Sequence, residues 1–153
     1  MMAASAQHPF SKHARIRARR SAVQALYQWE MTHDPVTEVI AEFICDRSEL
    51  KKADVAYFKV MLEGATGKVA EIDTGLTPLL DRPLYELDPV ERSILRIGMY
   101  ELLFHAEVPW RVVVNESVEL AKMFGAEQSY KFINGVLDKA AHSIRAGEIS
   151  RAS

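Results

Sequence analysis

The sequence has a single cysteine, Cys45, among 153 residues. An internal disulfide needs two cysteines, so a disulfide-stapled secreted domain is excluded, and a reducing compartment suits the chain. Cys45 follows Phe43 and Ile44, and we expect it to be a small buried hydrophobic residue. No apolar run approaches the roughly 20 residues of a membrane-spanning helix, and residues 1–13 lack the apolar core of a secretory signal. We therefore expect a cytoplasmic protein without a membrane segment.

Acidic residues are missing from one part of the chain. Residues 1–29 contain no Asp or Glu and carry Lys12, Arg15, Arg17, Arg19 and Arg20. The other 124 residues hold 14 basic and 21 acidic side chains, a net charge of −7, although the whole chain carries only −2. A basic arm on an acidic body favours a polyanion as one partner and a different kind of partner elsewhere. A solvated basic tail is the alternative that charge alone leaves open.

Patterns typical of catalysis or metal binding are also absent. The histidines form no His-x-x-x-His pair, and one cysteine cannot make a Cys-x-x-Cys pair. Residues 64–69 resemble the end of a phosphate-binding loop, but that loop requires a glycine at Leu62 and a serine or threonine at Val69. Glu101 and His105 are four residues apart on a predicted helix, which more often makes an ordinary surface pair than a ligand pair. We expect no catalytic residue, no metal site and no cofactor.

Apolar residues recur every three or four positions along most of the chain, the pattern of helices that bury one face. In the first helix, which we expect from Ala14, one apolar arc contains Ala18, Ala22, Val23, Ala25, Leu26 and Trp29, with Tyr27 near its edge. Arg15 and Arg19 point along this arc before its large residues begin. We therefore expect the first two turns to project beyond the core, where they can meet an anion.

Proline and capping residues mark the other helices. Asp34-Pro35 and Asp88-Pro89 each combine an N-cap residue with a proline at the first helical position, and Gly125 suits a helix C-terminus. Further helices are predicted for about ten residues after Pro35 and over residues 53–72, 78–80, 89–102, 109–124 and 127–145.

These segments predict an all-α fold, a compact bundle of six or seven helices without strands. Breaks around residues 80–88 permit two subbundles. We expect one helical domain over residues 14–146, between a flexible leader, residues 1–13, and a flexible tail, residues 147–153.

Three separated motifs carry a resemblance to a known family. They are residues 19–29 (RRSAVQALYQW), residues 91–97 with 100–102 (ERSILRI and YEL), and residues 119–125 with 129–139 (ELAKMFG and SYKFINGVLDK). In this order and spacing, over about Arg15 to Arg145, the chain resembles the NusB family. The resemblance implies an all-helical pair of three-helix bundles. It also implies a transcription antitermination factor that binds single-stranded boxA-like RNA of ribosomal transcripts with the ribosomal protein NusE, in the RNA polymerase antitermination complex.

The resemblance further implies which residues bind RNA. They are Arg15, Arg17, Arg19, Arg20, Gln24, Phe124, Gln128, Lys131 and Phe132. Arginine suits this role because guanidinium groups bind phosphates and stack on unpaired bases. Family members often have an acidic residue where Gln128 stands, and a neutral residue beside phosphate favours binding. Phe124 and Phe132 also fit apolar helix faces, so a place in the core is the alternative for both.

A second set of residues corresponds to the family's NusE-facing side. It comprises Tyr27, Met31, Arg82, Glu86 and Glu91. Acidic residues suit a basic ribosomal protein, and ordinary surface salt bridges are the alternative. NusB-like domains also serve as RNA-binding modules at the N-terminus of ribosomal RNA cytosine methyltransferases. A methyltransferase would continue into a cofactor-binding region and a catalytic cysteine, so we expect the free-standing factor.

Overall fold

The computed structural model describes residues 12–46 and 48–152, and every regular element in these ranges is helical. The α-helices are α1 (Lys12–Thr32), α2 (Val36–Asp46), α3 (Val55–Gly67), α4 (Val69–Leu76), α5 (Pro89–Phe104), α6 (Trp110–Phe124), α7 (Ser129–Ile144) and α8 (Ala146–Ala152). Short 3₁₀ helices cover Ser48–Lys52, Thr77–Leu79 and Leu84–Glu86. The all-α prediction is confirmed. Within these ranges no helix is long and apolar enough to cross a membrane.

The chain divides into two compact units between Glu63 and Gly64, inside α3. This boundary lies earlier in the chain than the break expected at residues 80–88. Those residues do not separate two units, because α4 and α5 pack together across them. Arg92 on α5 also donates to the carbonyl oxygens of Leu84 and Leu87, at 3.3 and 2.9 Å. The connecting segment is thereby tied to the helix that follows it.

Residues 12–46 and 48–152 form eight α-helices, more than the six or seven that we expected. The predicted helix over residues 53–72 is interrupted at Lys68, whose φ of −114° and ψ of 17° are not helical. The glycine at position 67 precedes the break, and glycine weakens a helix interior. Helix α8, Ala146–Ala152, covers most of the predicted tail, residues 147–153. The predicted leader lies outside the described residues except for Lys12 and His13, which begin α1.

In the first unit, α1 packs against α2 and the 3₁₀ helix Ser48–Lys52. The predicted arc of α1 is confirmed for its buried members, Ala18, Ala22, Val23, Ala25 and Leu26, whereas Trp29 is half-buried. The first two turns do not project beyond the core, contrary to expectation. Ala14 is buried, and its carbonyl oxygen accepts a hydrogen bond from the backbone N–H of Asp54 at 3.1 Å.

The buried face of α2 explains why the prediction for Cys45 is wrong. Val39, Ile40 and Phe43 are buried, and the Phe43 ring stacks on Phe58 with centroids 5.9 Å apart. Cys45 is exposed. Two residues advance a helix by about 200°, so Cys45 lies opposite Phe43.

In the second unit, α5 packs against α4, α6 and α7, and every residue from Arg92 to Leu102 is buried. Its predicted N-cap is confirmed, because the Asp88 carboxylate accepts the backbone N–H of Val90 at 2.8 Å. Gly98 permits close packing of these helices. A Cβ there would lie 2.8 Å from Leu137 Cδ1 and 3.0 Å from Ser117 Oγ.

Arg145 closes the C-terminal end of α5 and is only 6% exposed. Its guanidinium donates to the carbonyl oxygens of Leu102 and Val108 (both 2.9 Å), His105 (3.0 Å) and Glu101 (3.2 Å). It also pairs with Glu148 at 2.6 Å. The Glu148 carboxylate in turn accepts the backbone N–H of Trp110 at 3.0 Å. That hydrogen bond, followed by the one from Arg145, lowers the pKa of Glu148, and the same contacts explain why residues 146–152 are ordered into a helix.

Replacing this arginine should therefore be costly. Arg145→Ala removes the guanidinium donor from the carbonyl oxygens of Leu102 and Val108 and breaks the ion pair with Glu148. We expect a loss of about 3–5 kcal/mol in the free energy of unfolding. Urea denaturation followed by circular dichroism measures it. Arg151→Ala removes an exposed arginine from α8 and should change stability by no more than about 0.5 kcal/mol. A loss below about 1 kcal/mol for Arg145→Ala would show that water replaces the guanidinium readily.

Candidate nucleic-acid interface

The arginines of α1 divide into two groups, of which the first lies against Tyr57. Arg15 donates from Nε to Asp54 Oδ2 at 3.1 Å, and its guanidinium carbon is 3.7 Å from the centre of the Tyr57 ring. Arg19 is only 5% exposed, and its guanidinium carbon is 5.5 Å from the same ring. Asp54 Oδ1 accepts the backbone N–H of Tyr57 at 3.0 Å, which fixes the carboxylate. Arg15 and Arg19 therefore both contact the Tyr57 ring within the first unit.

The second group consists of Arg17 and Arg20, together with Gln24. All three are half-buried. Their spacing of three and four residues places them along one face of α1. Arg17 and Arg20 make no ion pair within residues 12–46 and 48–152, and Nε of Arg20 is buried without a hydrogen-bond partner there. Buried donors of this kind are uncommon in folded proteins. Of the arginines predicted to bind RNA, Arg17 and Arg20 therefore have charges that no ion pair within the described ranges neutralises.

The other predicted RNA-binding residues surround the start of α7. Gly125 follows α6 as predicted, and Gln128 precedes α7 in the left-handed region, with φ of 74°. This conformation is uncommon for residues other than glycine. Gln128 and Lys131 are exposed, and Phe124 and Phe132 are half-buried rather than core residues. These four residues remain predictions for RNA binding, with side chains that solvent reaches.

Two aromatic rings in the first turn of α7 each contact a basic side chain. Lys122 Nζ lies 5.2 Å from the centre of the Tyr130 ring. The guanidinium carbon of Arg82 lies 5.1 Å from the centre of the Phe132 ring. Both distances fall within the roughly 6 Å of a cation–π contact. Tyr130 and Lys122 are not among the residues predicted to bind RNA, although the alternation of aromatic and basic residues over 130–132 is a signal of nucleic-acid binding.

Residues predicted for the protein partner adjoin this turn. Glu91 Oε2 accepts a hydrogen bond from Ser129 Oγ at 2.6 Å. Arg82 Nε donates to Asp81 Oδ1 at 3.0 Å. This hydrogen bond is the main reason why the pKa of Asp81 is lowered and that of Arg82 is raised, and Glu91 and Glu86 raise the pKa of Arg82 further. Within the second unit, the two predicted surfaces therefore touch.

The remaining members of the partner set are exposed. Tyr27 and Met31 lie four residues apart on α1, which gives them one face, and both are large exposed side chains. Glu86 is exposed on the 3₁₀ helix Leu84–Glu86. Exposed aromatic and thioether side chains of this kind suit a protein contact, and the partner role of all three stays a prediction.

The expectation of a surface pair at Glu101 and His105 is wrong in its placement, because Glu101 does not lie at the surface. Glu101 is 1% exposed, whereas His105 Nδ1 lies 2.8 Å from Glu107 Oε2 and Nε2 lies 3.3 Å from the Tyr100 hydroxyl. The expectation fails because α5 is buried around most of its circumference. In the part of the chain that the structure describes, no three His, Cys, Asp or Glu side chains are grouped so that they could hold a metal ion.

The model of the NusB family matches residues 16–142. This chain belongs to the NusB family. The resemblance carried by the three sequence motifs is thereby confirmed. Among curated NusB relatives, the transcription antitermination protein NusB of Shewanella amazonensis is 53% identical over 82% of this chain and 92% of its own length. That of Pseudomonas entomophila is 49% identical over 95% of this chain and 87% of its own length.

Solved NusB structures share the fold. NusB of T. maritima superposes with a TM-score of 0.72 at 30% identity, covering 82% of this chain and 89% of its own. A crystal structure of the antitermination factors NusB and NusE in complex with dsRNA gives a TM-score of 0.71 at 29% identity, covering 87% and 99% of the two chains.

The division of the arginines predicts unequal effects on stability. Arg19→Ala removes a buried side chain from the Tyr57 ring and should lower the free energy of unfolding by about 1–3 kcal/mol. Arg17→Ala removes the same charge from the same helix and should change it by no more than about 0.5 kcal/mol. Thermal and urea melts followed by circular dichroism compare the two. Equal losses would contradict the division.

Proposed function

We propose that this chain is a transcription antitermination factor that binds boxA-like RNA of nascent ribosomal RNA transcripts together with the ribosomal protein NusE. Membership of the NusB family is the observation that carries the proposal. The curated relatives are named for antitermination, and this chain spans 92% and 87% of the two described above. A structural neighbour is a NusB in complex with NusE and dsRNA. The factor acts in the cytoplasm, with RNA polymerase, and by recognition rather than catalysis.

The RNA-binding role falls to residues that the fold does not already use. On α1 these are Arg17, Arg20 and Gln24, whose side chains offer donors to phosphates and bases. At the start of α7, Lys131 offers a further charge, and the Phe132 ring offers a surface on which an unpaired base stacks. Arg15 and Arg19 support the helix through Tyr57 and Asp54. We propose that they act indirectly, although the resemblance groups them with the RNA-binding residues.

The partner role falls to residues of opposite character. Glu86 and Glu91 supply negative charge that attracts a basic ribosomal protein. Tyr27 and Met31 supply exposed apolar surface of the kind that anchors protein interfaces. When NusE binds these side chains, Arg17, Arg20 and Lys131 remain available to RNA. The chain can therefore bind NusE and RNA in one ternary complex.

A titration with matched RNAs tests the proposal. We expect tighter binding of single-stranded boxA-like RNA than of a scrambled strand or a duplex of equal length, and a larger preference when NusE is present. Arg17→Ala with Arg20→Ala should weaken boxA binding at least about tenfold, or about 1.4 kcal/mol, because each substitution removes a charge-assisted hydrogen bond. Fluorescence anisotropy measures the affinities.

The control for this titration removes two arginines outside α1, both exposed. Arg111→Ala with Arg151→Ala changes the net charge equally and should leave RNA affinity within about twofold of the parent. Equal binding of all three RNAs, with and without NusE, would overturn the proposed function. Equal weakening in the two double variants would mean that only net charge matters.

Salt dependence counts the cations that meet phosphate. If Arg17, Arg20 and Lys131 neutralise one phosphate each on single-stranded RNA, the logarithm of affinity should fall against the logarithm of salt with a slope of about −2. This corresponds to roughly a hundredfold decrease in affinity per tenfold increase in salt. Titrations at several KCl concentrations give the slope. A value of about −3.5, expected for five neutralised phosphates, would contradict a count of three and require further cations at the RNA, with Arg15 and Arg19 as the first candidates.

A further inference from the structure

Arg82 occupies a place that its assignment to the partner side does not explain. Its side chain is 45% exposed, and its guanidinium carbon lies 5.1 Å from the centre of the Phe132 ring. Phe132 is half-buried in the first turn of α7. A planar guanidinium stacks on an aromatic ring as well as pairing with carboxylates. The contact therefore joins a residue predicted to face a protein with a ring predicted to face RNA.

The acidic neighbours of Arg82 fix its position. Its Nε donates to Asp81 at 3.0 Å, and Glu86 and Glu91 favour its positive charge. Glu91 also accepts a hydrogen bond from Ser129 at 2.6 Å, at the first residue of α7. Two contacts thus connect residues 81–91 to the turn that carries Phe132. The Arg82 guanidinium is hydrogen-bonded to Asp81 and at the same time contacts the Phe132 ring.

We propose that Arg82 is a positioning residue of the RNA surface, which holds the Phe132 ring in the orientation on which a base stacks. The inference rests on the proposed function, because it needs RNA at Phe132. A ring held in advance loses less conformational entropy when a base binds. Positioning the ring does not require Arg82 itself to touch the RNA, although its terminal nitrogens are not used by the hydrogen bond from Nε to Asp81. The resemblance assigns Arg82 to NusE, whereas this contact gives it a role without NusE.

A double-mutant cycle on the full chain separates positioning from direct contact. We expect Arg82→Ala to weaken binding of boxA-like RNA about two- to fivefold in the absence of NusE, the range of an exposed cation–π contact. In the Phe132→Ala background the same substitution should change affinity by less than about 1.5-fold, because the ring is already gone. Arg82→Lys keeps the charge without the planar group and should restore only part of the affinity.

The salt slope and a matched arginine are the controls. Replacing a positioning residue leaves the slope unchanged, whereas replacing a residue that neutralises a phosphate of single-stranded RNA makes the slope shallower by about 0.7. Arg111 lies 5.0 Å from the centre of the Trp110 ring in the same unit, so Arg111→Ala removes an equivalent contact elsewhere. We expect this variant to bind RNA like the parent.

The ring can also be observed directly, without RNA. In aromatic carbon–proton spectra of the chain, the Phe132 signals are identified by their disappearance in Phe132→Leu. Arg82→Ala should shift these signals, and Arg111→Ala should not. Circular-dichroism melts accompany each variant, and the exposure of Arg82 predicts melting close to that of the parent.

The possible results lead to different conclusions. Non-additive effects on affinity with an unchanged salt slope and shifted Phe132 signals support the inference. Additive effects with a shallower slope make Arg82 a phosphate contact and overturn it, as do unshifted Phe132 signals. A parent chain that binds boxA-like and scrambled RNA equally, with and without NusE, contradicts the proposed function and with it this inference. RNA-specific binding that Arg82→Ala leaves unchanged contradicts the inference alone.

Discussion

The burial of α5 from Arg92 to Leu102 is the constraint on which the second unit depends. Charged side chains on a buried helix need partners, because an unpaired buried charge is strongly destabilising. Arg96 meets Asp73 through two hydrogen bonds of 2.9 Å, and Arg92 holds the carbonyl oxygens of Leu84 and Leu87. The second contact fixes the segment that carries Arg82 and Glu86. The hydrogen bonds that satisfy buried Arg92 therefore also position part of the candidate interface.

Arginine serves two purposes in α1, and charge alone cannot tell them apart. Arg15 and Arg17 are two residues apart in a segment without acidic residues. Arg15 is paired with Asp54 and lies against the Tyr57 ring, because both residues lie beside it in the fold. Arg17 has no such neighbour among the described ion pairs. A basic helix can therefore support itself with one set of guanidinium groups while another set remains to meet a polyanion.

The sequence predicted the features that depend on local patterns. Apolar periodicity located the buried arc of α1, and Asp88-Pro89 located the start of α5. Features set by distant residues were missed. Helix α8 depends on contacts of Glu148 with Trp110 and Arg145. The position of Arg19 depends on residues far from it in the sequence, among them Tyr57. Of the candidate site, motifs supplied the residues, whereas the contact between Arg82 and Phe132 required the fold.

The central claim is that Arg17 and Arg20 meet RNA while Arg15 and Arg19 support the helix. Side-chain nitrogen–proton spectra of the arginine Nε groups observe each of these residues separately. On addition of boxA-like RNA, the signals of Arg17 and Arg20 should shift strongly, and those of Arg15 and Arg19 should stay close to their positions in the protein without RNA. Strong shifts at Arg15 and Arg19, with Arg17 and Arg20 unchanged, would contradict the account.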